Sequence, residues 1–164
     1  MPSLETWELL SYMVTVIGLP LAILTFVLEQ RKERENEDEE VYQLLADNYT
    51  DFLKLVMANP DLQLRSQCAP LPMSAEQEER KRVLFEILIS LFERAYLLAY
   101  DPDMQGKRLR RWLSWEDYMR EWCEREDFRQ QLPRLLVGED ADFVAYIQQI
   151  AQRADATARV NTSV

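Results

Sequence analysis

The chain contains no histidine. Histidine is the side chain that proteins use most often as a general base, as a metal ligand and as a charge switch near neutral pH. A carboxylate di-metal site in a helical bundle usually needs Glu-x-x-His pairs, which this sequence cannot form. The sequence also lacks a GxGxxG, a Walker loop and a GxSxG motif. We therefore expect no enzyme, and the sequence predicts no catalytic residue, no metal site and no cofactor.

Glycine occurs only three times and cysteine twice. The scarcity of glycine, together with frequent Leu, Glu, Arg and Ala, favours helix over sheet. Cys68 and Cys123 have no CxxC spacing, so we expect reduced, unpaired thiols of the kind found in the cytosol. The formal net charge is −10. An acidic chain is a poor candidate for binding nucleic acid, because phosphate contacts need a basic face.

The longest stretch without a charge runs from Leu9 to Leu28 (LLSYMVTVIGLPLAILTFVL). As a helix it is about 30 Å long, which is the thickness of the hydrocarbon core of a bilayer. The sequence therefore predicts one transmembrane helix after a short external N-terminus, residues 1–8. No Lys or Arg precedes the span, whereas Arg31, Lys32 and Arg34 follow it and suit lipid headgroups. The positive-inside rule places the N-terminus outside the cell and the rest of the chain in the cytoplasm.

Small residues recur along this span at spacings of four and three, and we call them the contact face: Ser11, Thr15, Gly18, Ala22 and Thr25. At about 100° per residue they share one arc of a helix. Helices in lipid associate through close backbone approach and interhelical hydrogen bonds. The contact face therefore predicts assembly with a second copy or with another membrane protein. Pro20 removes one backbone hydrogen bond and is expected to bend the helix.

Residues 29–40 are almost wholly charged and contain no Pro or Gly, which predicts a solvated helical stalk. An amphipathic helix follows, with apolar positions at Val41, Leu45, Tyr49, Phe52 and Val56, widened by Leu44, Leu53 and Leu55. This helix should end near Asn59, because Pro60 disfavours helix in the residue before it.

A second helix is predicted to begin at a capping box of Ser74 and Gln77. From Val83 to Tyr100 it is apolar nearly all round, which predicts the buried centre of a bundle. Glu93 and Arg94 lie in this run, and we expect them to meet partners at the edge of the bundle, or Arg94 to reach water. The alternative is a buried charged site.

The chain after Tyr100 contains a basic cluster and an aromatic cluster. The basic cluster is Lys107, Arg108, Arg110 and Arg111, which could contact lipid headgroups, the acidic stalk or solvent alone. The aromatic cluster is Trp112, Trp115, Tyr118, Met119 and Trp122. Such a cluster is typical of core packing, and the alternative is a groove for a peptide or an apolar ligand.

Three further signals place helix starts in this region. Ser114 is predicted to cap a helix that begins at Trp115, and Asp127 to open a short helix that contains or ends near Pro133. Asp140 is predicted to cap the final helix, with Phe143, Ile147 and Ile150 on one face, joined by Tyr146. The predicted fold is all-α: a transmembrane helix, a charged stalk, a cytoplasmic bundle of about four to five helices over residues 41–153, and a flexible tail over 154–164.

Four segments carry a resemblance to known proteins: YQLLADNYTDFLKLVMANPDL, FERAYLLAY, WLSWEDYMREWC and FVAYIQQIA. With these the chain resembles a loose group of small bacterial membrane proteins that have one N-terminal span and a helical cytoplasmic domain. The shared FERAYLL … W-x-x-W-E-x-Y pattern looks like a packing signature. The resemblance covers most of residues 40–150. It implies this architecture in a bacterial inner (plasma) membrane and transfers no site.

The sequence predicts a single-pass, membrane-anchored interaction or scaffold protein that assembles through the contact face. It would act as a homo-oligomer or as an accessory subunit of a membrane complex, with membrane lipid as a further partner. The alternative is a homo-oligomeric ion channel or pore, with Ser11, Thr15 and Thr25 turned toward a polar axis and Pro20 bending a gate. A third possibility is a sensor whose aromatic cluster binds a small ligand.

Overall fold

A computed structural model of the chain describes residues 12–66 and 72–162. Every regular element in these ranges is helical. A π-helical turn over Val14–Gly18 leads into α1 (Leu19–Ala58), which a 3-10 turn over Pro60–Leu62 follows. The other helices are α2 (Ala75–Ala99), α3 (Gly106–Cys123), α4 (Glu126–Leu135) and α5 (Ala141–Thr162). The predicted all-α class and the helical bundle are thereby confirmed.

The contacts of the chain divide it into two compact units, residues 1–40 and residues 41–164. In the described part of the first unit the side chains from Val16 to Glu37 are all exposed. The hydrophobic core belongs to the second unit, where the buried residues begin at Leu45 and end at Ala154.

The part of α1 in the second unit turns one face to the core. Leu45, Tyr49, Phe52 and Val56 are buried and Val41 is half-buried, which confirms the amphipathic pattern. Leu53 is also partly buried, as predicted. Leu44 and Leu55 are instead 53% and 44% exposed. At about 100° per residue they lie roughly 80–100° from the centre of the buried stripe, so the core does not reach them. The helix ends at Ala58, next to the predicted Asn59.

The start of α2 is the predicted capping box. The Ser74 hydroxyl accepts from the Gln77 backbone N–H at 3.2 Å, and the Gln77 side-chain oxygen accepts from the Ser74 N–H at 2.8 Å. The prediction that α2 is buried all round was wrong. One face packs inward through residues such as Phe85, Leu88 and Phe92, whereas Val83, Ile87, Leu97 and Leu98 are 40–57% exposed. A bundle of this size has too little volume to surround a helix completely.

The predicted start of α3 was also wrong. The helix begins at Gly106 rather than Trp115, and the Ser114 hydroxyl donates to the Arg110 carbonyl inside it. The intervening Lys, Arg and Leu residues are good helix formers, so the helix extends back through the basic cluster. The prediction of core packing was right for Trp112, Trp115, Met119 and Trp122, which are buried, whereas Tyr118 is exposed at 37%.

The last two helices begin near the predicted residues. α4 begins at Glu126 and contains Pro133. Before α5 the Asp140 carboxylate accepts from the N–H groups of Asp142 and Phe143, both at 3.0 Å, which is the predicted cap. α5 continues past Arg153 to Thr162, whereas the sequence predicts a flexible tail from residue 154. Burial of Ala154 gives this extension an apolar contact.

An aromatic cluster joins α1 to α3 inside the core. The Trp122 indole N–H donates to the Tyr49 hydroxyl at 3.2 Å, and both side chains are buried. The Phe52 and Trp122 rings meet edge to face with centroids 5.6 Å apart, as do Tyr49 and Trp115 at 5.8 Å. Aromatic pairs in this geometry contribute beyond the area they bury.

The hydrogen bond between Trp122 and Tyr49 gives a stability prediction. Tyr49→Phe leaves the buried indole N–H without an acceptor, which costs about 1–3 kcal/mol. We expect the free energy of unfolding, measured by urea denaturation, to fall by that amount. Tyr118→Phe is the matched control, because Tyr118 stacks on Tyr49 yet is partly exposed, and it should change stability by less than about 0.5 kcal/mol. Equal effects of the two substitutions would contradict a role for the hydrogen bond.

Candidate functional site

The structure describes only part of the predicted contact face. Ser11 lies outside the described residues, and so does the side chain of Thr15. Gly18, Ala22 and Thr25 lie on exposed helix surface. The Thr25 hydroxyl donates to the Ala22 carbonyl at 2.9 Å within the same helix. This internal hydrogen bond is compatible with both the assembly and the pore interpretations.

Residues 12–28 present an exposed apolar surface on several sides of the helix. Its large side chains, between 39% and 74% exposed, include Tyr12, Val16, Ile17, Leu19, Leu21, Ile23, Leu24, Phe26, Val27 and Leu28. Among the described residues no helix is long and apolar enough to cross a membrane. The first residues of the predicted span, 9–11, and the predicted external N-terminus, 1–8, are not among them.

The turn before Pro20 and the basic residues after the span have described positions. The π-helical turn over Val14–Gly18 directly precedes Leu19 and Pro20. Proline lacks an N–H, and a π turn is one way in which a helix re-pairs the carbonyl that this leaves free. Arg31, Lys32 and Arg34 are exposed. The predicted bend at Pro20 and the predicted headgroup contact stay predictions.

The aromatic residues of the second unit form two groups rather than the single predicted cluster. Trp115, Tyr118 and Trp122 belong to the core group with Tyr49 and Phe52. Trp112 belongs to a second group, in which it meets Tyr96 and Tyr100 from α2 and Tyr146 from α5. Neighbouring ring centroids in the second group are 4.7–6.1 Å apart.

A chain of hydrogen bonds runs through the second group. The Trp112 indole N–H donates to the Tyr146 hydroxyl at 2.9 Å, and that hydroxyl donates to the Glu116 carboxylate at 2.7 Å. Burial and the hydrogen bond to Glu116 raise the pKa of Tyr146 above the ordinary tyrosine value. Tyr146 therefore stays protonated and fixes the position of the Glu116 carboxylate.

These residues line an open cavity of about 540 Å³, which we call the tyrosine cavity. Its walls come from the end of α2, from the loop after it, from α3 and from α5. Its charged lining consists of Asp101, Glu116, Asp142 and Arg153. The volume lies within the range of small-molecule sites in proteins.

The sequence analysis singled out Trp112 as part of the aromatic cluster and placed Tyr146 on the face of the last helix, but it did not bring them together with Tyr96 and Tyr100 in a cavity. Tyr96 and Tyr100 are four residues apart, which places them on the same face of a helix. This spacing could have predicted that the two tyrosine rings lie side by side. No pattern in the sequence indicates that Tyr146 and Glu116, 30 residues apart, meet there.

A pair of carboxyl groups lies where α2 approaches the turn before α5. Glu93 accepts from the Asp140 backbone N–H at 2.5 Å, so it has a partner at the bundle edge as predicted, and Arg94 is exposed. Glu139 is hydrogen-bonded to Glu93. This bond, together with burial and the charge of Glu93, raises the pKa of Glu139 from 4.5 to about 7.

Cys123 is fully buried at the end of α3 and is a free thiol, as expected, whereas Cys68 lies outside the described residues. Burial raises the pKa of the Cys123 thiol to about 12. A thiol of that kind contributes to packing and is unreactive, because the thiolate is the nucleophile. In the described chain no group of three or more Cys, Asp or Glu side chains could hold a metal ion.

Comparison with protein families, with curated proteins and with solved structures found no match to this chain. The resemblance to the group of bacterial membrane proteins therefore stays a prediction.

The pKa of Glu139 predicts a dependence of stability on pH. The pKa of Glu139 is about 7 in the folded chain and 4.5 in the unfolded chain. Between these two pH values the folded chain therefore binds more protons than the unfolded chain. Stability should therefore fall as the pH rises through this window. Glu139→Gln, which stays neutral, should flatten this part of a plot of urea midpoint against pH. Glu79→Gln, at an exposed position of α2, should leave the slope unchanged. A slope that Glu139→Gln does not alter would contradict the assignment.

The burial of Cys123 gives a second prediction. In a Cys68→Ser variant, where Cys123 is the one remaining thiol, we expect no reaction with a water-soluble disulfide reagent at pH 8. The same variant unfolded in urea should react completely under the same labelling conditions, because unfolding exposes the thiol. Rapid labelling of the folded variant would show that Cys123 is accessible.

Proposed function

We propose that the chain is a single-pass membrane protein of the bacterial plasma membrane, anchored through residues 9–28. Its helical domain from Val41 onward acts as an interaction or scaffold module on the cytoplasmic side. The protein assembles through its contact face, as a homo-oligomer or as an accessory subunit of a larger membrane complex. Its partners are membrane lipid and either a second copy or another membrane protein.

The exposed apolar surface of residues 12–28 is the observation that carries this proposal. Apolar surface left in water costs about 25 cal/mol per Å². Large contiguous apolar patches on a protein mark contact with a membrane or with another protein. Lipid chains would cover the large side chains of this segment outside the contact face. The exposed Arg31, Lys32 and Arg34 that follow support a cytoplasmic position for the domain.

The contact face supports close helix pairing within the membrane. Gly18 and Ala22 form a small-xxx-small pair, which allows two backbones to approach each other. The Thr25 hydroxyl already has an acceptor in the Ala22 carbonyl, so a helix pair can bury it without leaving a donor unpaired. Large side chains such as Leu24 lie on the remaining surface, where lipid can cover them.

The proposed topology is tested by labelling in intact cells with a membrane-impermeant maleimide. In a Cys68→Ser background, Ser3→Cys should label from outside, because the N-terminus is expected outside. Gln152→Cys, at an exposed position of α5, should label only after the cells are permeabilised. The protein should stay with the membranes in alkaline carbonate. Release of the chain by carbonate would reject the anchor, and the opposite labelling pattern would reject the orientation.

Gly18→Ile should weaken assembly in lipid, because the larger side chain separates the two backbones. We expect the dissociation constant of the complex to rise by about tenfold, equivalent to about 1.4 kcal/mol. Cross-linking yield as a function of protein-to-lipid ratio measures this change. Leu24→Ile is the control, because it introduces isoleucine at a position about 120° from Gly18 around an ideal helix. It should leave the cross-linking yield unchanged. Equal yields for both variants and the parent chain would remove the claim for the contact face.

A further inference from the structure

We propose that the tyrosine cavity is a binding site for a small organic ammonium ion. The proposal concerns the second unit alone and does not depend on the membrane anchor. It combines three properties of the cavity: its size, its aromatic walls and the charge of its lining.

The size of the cavity fits a small molecule. Its volume is about 540 Å³ and it is open to solvent. Small-molecule sites in proteins have volumes of about 300–1,000 Å³. A quaternary ammonium head group with a short substituent occupies a fraction of that space, so the cavity can admit it without movement of a helix.

The walls offer several aromatic rings to one ligand. Tyr96, Tyr100, Trp112 and Tyr146 all line the cavity. The rings of Tyr96 and Tyr100 are stacked with their centroids 4.7 Å apart. The Tyr100 ring centroid lies 5.1 Å from the ring centroids of both Trp112 and Tyr146. A cation within about 6 Å of such rings is attracted by their quadrupoles, and closely spaced rings add to one another.

The charge of the lining favours a cation over an anion. Three carboxylates line the cavity, from Asp101, Glu116 and Asp142, whereas Arg153 is the one cationic side chain among its described lining residues. The Arg108 Nη1 atom lies 3.8 Å from the Asp101 Oδ2 atom, so Arg108 neutralises part of the negative charge of the lining. Glu116 and Asp142 remain as acidic groups of the lining, and Glu116 accepts a hydrogen bond from the Tyr146 hydroxyl at the aromatic wall.

The hydrogen bonds of the cavity point to the same ligand class. The Trp112 N–H is used by Tyr146, and the Tyr146 O–H is used by Glu116. Both of these aromatic donors are therefore satisfied inside the protein, and the carboxylate at the end of the chain retains acceptor capacity. Such a site matches a ligand that brings positive charge, and it offers little to an anion.

The test compares choline with 3,3-dimethylbutan-1-ol, a neutral molecule of nearly the same shape. Binding to the full chain in non-ionic maltoside micelles is measured by titration calorimetry, with tryptophan fluorescence as a second readout. We expect saturable binding of choline with a dissociation constant on the order of 1 mM, and binding of the neutral isostere at least about tenfold weaker. Tetramethylammonium should compete with choline.

Two variants test the residues. Glu116→Gln should weaken choline binding by about tenfold, because it removes the fixed carboxylate. Tyr100→Leu, at a partly buried wall position, should weaken it by a similar factor while leaving Glu116 in place. Glu121→Gln is the matched control on the same helix, since it pairs with Arg65 outside this cavity and should bind choline normally. Circular dichroism establishes that each variant is folded.

Two results would overturn the proposal. Absence of saturable binding for choline and tetramethylammonium up to about 50 mM, far above the expected dissociation constant, would show that the aromatic group only packs the bundle. Equal binding of choline and its neutral isostere would show an apolar cavity without selectivity for charge.

Discussion

The buried hydrogen bond between Trp122 and Tyr49 is the contact on which the arrangement of the second unit depends. It joins residues 73 positions apart and fixes α1 against α3. Each partner buries a polar atom, and such an atom is tolerated only when it is paired. The Phe52, Phe85 and Phe128 rings pack around the same indole. A substitution of Tyr49 or Trp122 therefore affects the contacts of α1, α2 and α4 together.

Arginine side chains close the loops and helix ends around this core. Arg129 donates to the carbonyls of Cys123 and Glu124 at the end of α3, both at 2.7 Å. Arg125 pairs with Asp127 and donates to the Leu64 carbonyl at 3.0 Å, which ties the loop after α1 to the start of α4. These contacts satisfy backbone carbonyls that helix ends leave unpaired.

The two units use hydrophobic residues in different ways. In the second unit α1 buries one stripe and leaves the opposite face to charged and polar residues. In the first unit the large apolar side chains of residues 12–28 are exposed on several sides. The first pattern is typical of an amphipathic helix that packs on a core with one face and meets water with the other. The second pattern is typical of a helix whose surroundings are apolar. The proposed membrane anchor accounts for this difference, and the tyrosine cavity gives the domain a site of its own.

The local features of this protein follow from patterns within short stretches of its sequence. The helical class, the capping box at Ser74, the cap at Asp140 and the buried stripe from Leu45 to Val56 could all be predicted. Each of these depends on residues three or four positions apart, whose geometry the helix fixes. The predicted contact face has the same local origin, and its assembly stays a prediction.

Which residues meet across the bundle depends on how the helices pack, and the tertiary structure was needed to find them. It separated Trp112 from the other tryptophans, placed Tyr146 against Glu116, and brought Glu139 to Glu93. It also left one face of α2 exposed and began α3 nine residues before the predicted start. Contacts between residues 30 or more positions apart depend on helix packing, and a hydrophobic pattern states that a face is buried without stating against what.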